Sequence, residues 1–371
     1  MKNIGIGLVG TGYMGKAHAV ALQAVAAVFN TNLRPVCEVI CSTTAGGAAA
    51  KAAEYGFKQS TSEWRDLVDN PRVDAVIIAS PQGTHRSIAL AALAAGKPVF
   101  CEKPLGASLE DARAMVAAAA ATGLPNMIGF NYIRTPACQL SHEIISSGEL
   151  GDIVHVRAEH TEDFLADPVD PASWRTRERA TGTLSDLAPH IVNAALRLAG
   201  PIERIVADAG TAHAHRPGPD GPEAVANDDQ VNLLCRFASG AMGAIHVSRV
   251  ATGRKMGFGF DIVGTKGGLR FDAEDQNALW FYDSHAKRGR QGYTKLLMGP
   301  EHPDFLAFSQ GAGHGTGYGD QIIIEARDFL KAIETRQPVF PTFRDGLEVS
   351  RVLEAAFRSN AARTWVRIAD I

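Results

Sequence analysis

The chain has 371 residues, with 37 Lys and Arg against 40 Asp and Glu and a net charge of -3. That balance gives no electrostatic reason to expect a nucleic acid or an anionic membrane as partner, and 46% hydrophobic with 21% charged residues excludes a largely disordered chain. The length suits about two domains of roughly 150 residues, no apolar run reaches the ~18 residues of a membrane span, and the 37 glycines are the one compositional bias.

A β-branched run over residues 4–9 opens the chain as a strand. Gly5, Gly7, Gly10, Gly12 and Gly15 interrupt it, and no twin arginine precedes it, so it reads as a strand entering a glycine turn and not as a secretory signal. A helix over 13–28 follows, with Met14, Ala17, Ala21, Val25 and Val28 at helical spacing. The pattern then predicts a strand at 35–41, a helix at 45–55, a short capped helix at 62–68 and a doubly buried strand at 73–79. A helix at 84–95 stops at Gly96, a strand occupies 98–101, a helix at 108–122 is capped by Ser108, and a strand fills 125–129. Alternation of this kind means a parallel sheet with crossover helices.

After about residue 130 the pattern changes. Helices are expected at 136–147, 183–198, 322–335 and 346–360, and strands at 152–161, 202–208, 230–237, 241–248, 256–263, 268–271 and 279–282. Glycine and polar turns between the strands indicate a largely antiparallel meander. Residues 213–227 read as a surface loop, and 285–318 as a long glycine-rich loop of the kind that is functional or mobile. The fold expected is α/β: a dinucleotide-binding domain over 1–129 and an α+β domain over 130–371 with a large, mostly antiparallel open sheet. The five cysteines (Cys37, Cys41, Cys101, Cys138, Cys235) form no C-x-x-C pair, which points to a reducing, cytoplasmic setting.

Gly10-Thr11-Gly12-Tyr13-Met14-Gly15 is G-x-G-x-x-G between a strand and a helix. Gly10 makes the tight turn, Gly12 admits a pyrophosphate, and Gly15 lets helix and strand pack, with the helix N-terminus facing the phosphates. NAD or NADP is therefore the expected cofactor. An acidic residue ending the second strand would select NAD. Here the strand ends Cys41-Ser42-Thr43-Thr44, while Glu38 lies inside it. Ser42 is the expected ribose-side contact, with a lean toward NADP or dual use. Lys103, in Glu102-Lys103-Pro104, follows a parallel strand and so faces the ligand cleft, where it can donate to a substrate hydroxyl. On one continuous helix Asp186 and His190 would stand i, i+4 on one face, a carboxylate orienting an imidazole for acid/base work. Pro189 predicts a kink there.

Together these motifs resemble the Gfo/Idh/MocA oxidoreductases, over nearly the whole chain. Ser80-Pro81-Gln82-Gly83-Thr84-His85 is similar to the family's cofactor loop, Gly129-Phe130-Asn131-Tyr132-Ile133-Arg134 to the opening of its second domain, and Trp174-Arg175 to a pair that reaches the cofactor in some members. The resemblance implies Lys103, Asp186 and His190 as the catalytic group. It implies cofactor contacts from Ser80, Pro81, His85, Glu102, Lys103, Asn131, Trp174 and Arg175 beside the glycine motif, and substrate contact from Tyr132. Ala188 and Asn193 depart from the family's common Gly and Asp. A finer resemblance, carried by residues 162–168, Trp174-Arg175 and Gly311-Ala312-Gly313-His314, is to the branch with L-glucose/scyllo-inositol and levoglucosan dehydrogenases. It implies that Asp163 and His314 face sugar hydroxyls. The activity implied is hydride transfer from a hydroxyl of a sugar, anhydrosugar or inositol, or reduction of the matching ketone. The resemblance also implies a homodimer or homotetramer formed over the open sheet, and no metal is expected. The other readings are an NAD-dependent glycoside hydrolase of the same fold and a sugar-sensing regulator without catalysis.

Overall fold

The structure, a computed structural model, describes residues 2–371. Strand β1 (Lys2–Val9) leads through the glycine turn into helix α1 (Tyr13–Phe29). Then come β2 (Leu33–Cys41), α2 (Ala45–Tyr55), β3 (Gln59–Thr61), α3 (Trp64–Asp69), β4 (Ala75–Ile78), α4 (His85–Ala94), β5 (Val99–Glu102), α5 (Leu109–Thr122) and β6 (Asn126–Gly129). Local chemistry sets these boundaries. Thr44 and Ser108 cap α2 and α5 by accepting from Gly47 N and Asp111 N, and Gly56 and Gly123 end the same helices in the left-handed region. The six strands form one parallel sheet in the order β3-β2-β1-β4-β5-β6. The order reverses between β1 and β4, so the turns after those two strands open at the position where such sheets bind ligands.

The chain continues with α6 (Pro136–Ser146), β7 (Ile153–Thr161), α7 (Trp174–Arg177), α8 (Thr183–Asp186), α9 (Ala188–Ala199) and β8 (Ile202–Gly210). Strands β9 (His215–Gly218), β10 (Gly221–Ala224), β11 (Gln230–Phe237), β12 (Met242–Ser248), β13 (Gly257–Gly264), β14 (Gly267–Asp272), β15 (Ala278–Asp283) and β16 (Thr294–Leu297) come next. Helices α10 (Phe305–Phe308), α11 (Tyr318–Thr335) and α12 (Phe343–Ala362) and strand β17 (Val366–Arg367) complete the chain. The second sheet has nine strands in the order β16-β15-β14-β13-β7-β12-β11-β8-β17. Every pairing is antiparallel except β7 with β12, so the sheet is mostly antiparallel but not a simple meander. Its strands alternate: Val231, Leu233, Cys235 and Phe237 are buried, while Gln230, Asn232 and Leu234 point outward.

Three expectations are corrected. The segment 213–227 is not a featureless loop: β9 and β10 pair as a hairpin. Arg216 on β9 is buried, and its guanidinium donates to the Leu165 and Asp167 carbonyls, which accounts for the order. The segment 285–318 contains β16, paired along β15, and the short α10. The helix expected over 183–198 is broken at Leu187, with Pro189 in the first turn of the second piece, where its missing N–H costs nothing.

The chain divides into two compact units, residues 1–134 with 317–350, and 135–316 with 351–371. The expected boundary at 129 lies near the first of these breaks, and α11 packs on α1 in the first unit. All five cysteines are free and buried. Burial pushes their thiols up, to about 11 for Cys37 and Cys41 and about 12 for Cys138 and Cys235. Among the described residues no helix is long and apolar enough to cross a membrane.

Candidate active site

In the first unit the glycine turn has the geometry its sequence requires. Gly10 sits at φ +108, and a Cβ there would lie 2.3 Å from the Ala79 carbonyl oxygen. A Cβ on Gly15 would lie 2.2 Å from the Gly10 carbonyl oxygen, whereas one on Gly12 meets nothing within 4 Å. So Gly10 and Gly15 are required by packing, and Gly12 borders open space where a ligand can approach. No side chain caps α1 at Gly12, which leaves the helix N-terminus suited to a phosphate. Ser42 lies beside the same turn, 3.2 Å from Thr11 Oγ1. Glu38 does not reach this end of β2; it pairs with Lys58 at 2.6 Å. These residues fit a dinucleotide.

After β4, Ser80 Oγ lies 2.6 Å from Thr84 Oγ1, and Pro81 O accepts from Thr84 N and Oγ1. His85, at the head of α4, is 1% exposed, with Nδ1 2.9 Å from Pro104 O and Nε2 2.8 Å from Ser80 O. Burial pushes its pKa down, against the pull of those carbonyls and of the Glu102 charge. Glu102 ends β5 beneath Lys103: its Oε1 is 2.7 Å from His18 Nε2 and its Oε2 accepts from Lys103 N at 3.3 Å. Gly129, opposite Glu102 in the sheet, makes room, since a Cβ there would fall 2.9 Å from Glu102 Oε1. The Glu102 carboxylate thus faces inward and holds the turn that presents Lys103.

Asn131 and Tyr132 follow in a short 3-10 turn. Asn131 Nδ2 donates to Gln321 Oε1 on α11 at 2.8 Å, and the Tyr132 ring lies 6.2 Å from Tyr318. Tyr318 also meets Tyr13 at 5.8 Å and donates to Met14 Sδ at 3.3 Å. Burial pushes the Tyr318 phenol up, so it stays protonated. In the sequence Gly317-Tyr318 follows Gly311-Ala312-Gly313-His314 as part of the finer resemblance, but no role was drawn from it for Tyr318. Sequence reasoning also missed Glu325, which is fully buried on α11.

In the second unit Asp186 ends α8 and His190 lies in the first turns of α9, on two helices where one was expected. Asp186 Oδ2 accepts from Arg175 Nη1 at 3.2 Å. The Arg175 guanidinium is also stacked over Trp174 at 4.4 Å and lies 5.5 Å from Phe164. His190 is 6% exposed, and its ring meets His160 edge-on at 5.5 Å. His160 in turn faces Leu187 O at 2.9 Å and Glu162 Oε1 at 3.1 Å, and so supports the break between the helices. It carried no sequence signal.

The segment bearing Trp174 and Arg175 is held from inside. Arg249 and Asp229 form a buried ion pair, and Arg249 Nη1 donates to the Arg175 and Thr181 carbonyls at 2.9 and 3.0 Å. Asn227 Nδ2 donates to the Arg175 and Glu178 carbonyls. Asp228 caps α8 through Leu184 N at 2.6 Å, and burial raises its carboxyl pKa. Asp163 accepts from Lys255 Nζ at 2.7 Å and Gly253 N at 3.1 Å, and Lys255 holds its pKa down. His314 is exposed, with Nδ1 3.2 Å from Ser309 Oγ.

Two sequence profiles match this chain: the NAD-binding Rossmann fold of the Gfo/Idh/MocA oxidoreductases over residues 4–130, and the C-terminal domain of the same family over 139–270. The chain belongs to the Gfo/Idh/MocA family and is an oxidoreductase of the NAD-binding class. Levoglucosan dehydrogenase of Pseudarthrobacter phenanthrenivorans is 36% identical over 390 aligned residues, which cover 100% of both chains. Inositol 2-dehydrogenase of Rhizobium meliloti is 28% identical across 98% of each. A solved structure of levoglucosan dehydrogenase in complex with NADH and levoglucosan is 37% identical, with a TM-score of 0.95 over 99% of this chain and 100% of that one.

Proposed function

We propose that the protein oxidises a hydroxyl of a sugar, anhydrosugar or inositol, or reduces the matching ketone. The observation that carries this reading is end-to-end likeness to a levoglucosan dehydrogenase in a chain that keeps Lys103, Asp186 and His190. When bound, the nicotinamide accepts or returns the hydride. Lys103, at the carboxyl end of β5, donates to the reacting hydroxyl oxygen and offsets the charge that develops there. His190 takes the hydroxyl proton in the oxidative direction. Asp186, held by Arg175, stabilises the imidazolium that results. Tyr132 and His314 are proposed to contact the sugar. Asp163 joins them as proposed, its carboxylate kept ionised by Lys255.

NAD is the proposed cofactor, with NADP also used, because Ser42, Thr43 and Thr44 place no carboxylate against a 2′-phosphate. The five free, buried cysteines fit a reducing cytoplasmic setting. The test is absorbance at 340 nm with inositols, aldoses and anhydrosugars and both nucleotides. Turnover on at least one polyol is expected. Cleavage of an aryl glycoside with no net reduced nucleotide would replace this reading with a hydrolase. His190→Ala should lose ~10²-fold or more of kcat while still binding NADH; near-normal turnover would remove His190 from the chemistry.

A further inference from the structure

The two ends of the His85 side chain reach the cofactor loop and the lysine turn of the first unit. Nε2 faces Ser80 O at 2.8 Å and Nδ1 faces Pro104 O at 2.9 Å. Both partners are backbone acceptors, so a neutral ring donates to one of them and packs directly against the other, and the ring is 1% exposed. Ser80 belongs to the wall of the glycine cradle, since a Cβ on Gly10 would lie 2.7 Å from Ser80 N. Pro104 directly follows Lys103. A ring with both nitrogens directed at backbone is poorly placed to grip a ligand and well placed to fix the spacing between the two segments.

We propose that His85 is a positioning residue: acting through backbone alone, it sets where the Lys103 turn stands relative to the wall of the dinucleotide cradle. This rests on the reading that the cradle holds a nicotinamide dinucleotide and that Lys103 serves the substrate. It departs from a role for His85 as a direct cofactor contact, which would move nucleotide affinity alone.

Two substitutions separate the halves of the link. The amide nitrogen of Asn falls near the position of Nδ1 and can hold the Pro104 contact; that of Gln falls near Nε2 and can hold the Ser80 contact. His85→Asn is expected to weaken NADH binding by about three- to tenfold, the worth of one polar contact, with saturating kcat little changed. His85→Gln is expected to lower kcat by about the same factor with NADH affinity retained. The measurements are NADH fluorescence titration and kcat on the polyol that wild type turns over fastest. Loss of affinity in both variants with kcat intact would make His85 a cofactor contact, and parallel loss of both quantities in both variants would make it merely structural; either overturns the proposal. If neither variant folds, wild-type protein labelled with 15N-histidine decides. NADH must shift the His85 ring nitrogens, and an unmoved ring overturns the proposal. Wild type without turnover on any polyol would overturn the functional reading alone, and the affinity of His85→Asn for NADH would then judge the positioning role.

Discussion

Glu325 lies on α11 with no exposed surface. Burial pushes its pKa well up; Glu102 adds to the rise and Arg134 opposes it. A carboxyl whose pKa is raised by folding contributes stability below its unfolded value near 4.5, and loses that contribution as pH rises through the folded value. Glu325→Gln keeps the neutral shape at every pH. The melting temperature of the variant should therefore gain on wild type between pH 5 and 9, and a constant difference would show that Glu325 is ionised throughout. Nothing in the sequence marks this residue, because a Glu in an amphipathic helix reads as a solvated position. Lys103, Asp186 and His190 were singled out because each stands in a motif with its own spacing, and their roles are proposals. His160 and Arg249 were not, since the backbone carbonyls they hold lie 27 to 74 residues away.

Among the elements, five of the six parallel strands were visible as short apolar runs, and the helices between them as capped periodic stretches; the three-residue β3 was too short to show. The hairpin β9–β10 was not, because Pro217, Gly218, Gly221 and Pro222 have the composition of a loop. Its order comes from Arg216, whose carbonyl partners lie 46 to 51 residues earlier. Arg249 does the same for the segment leading to α8. Arg249→Ala would leave Asp229, which is fully buried, without its ion-pair partner, at a cost of about 3–5 kcal/mol. We expect a lower urea midpoint, faster amide hydrogen exchange over residues 174–183 and reduced kcat. Unchanged exchange in that segment would show that Arg249 does not hold it.

Across the whole molecule, the division into two kinds of sheet was legible, but the return of residues 317–350 to the first unit was not. The periodicity of α11 says that it is a helix with one apolar face, not which sheet system receives that face. The outward side of the nine-stranded sheet carries Leu234 and Met242, each more than half exposed, and, across β7, the Arg270–Asp261 pair. A homo-oligomer formed there is the proposed cover. Leu234→Glu combined with Met242→Glu should lower the mass found by light scattering to that of one chain; an unchanged mass would place the contact elsewhere.

The buried thiols give the folded protein a silent chemistry. With their pKa values pushed to about 11 and 12, Cys37, Cys41, Cys138 and Cys235 hold almost no thiolate near pH 8, and burial pushes the Cys101 thiol well up too. Alkylation therefore waits for unfolding. Three of the five sit in the first unit and two in the second. Intact-mass spectrometry during a denaturant ramp would then report which half of the chain melts first: a three-label species if the cofactor-binding half opens before the other, a two-label species in the reverse order, and a direct step to five if they unfold together.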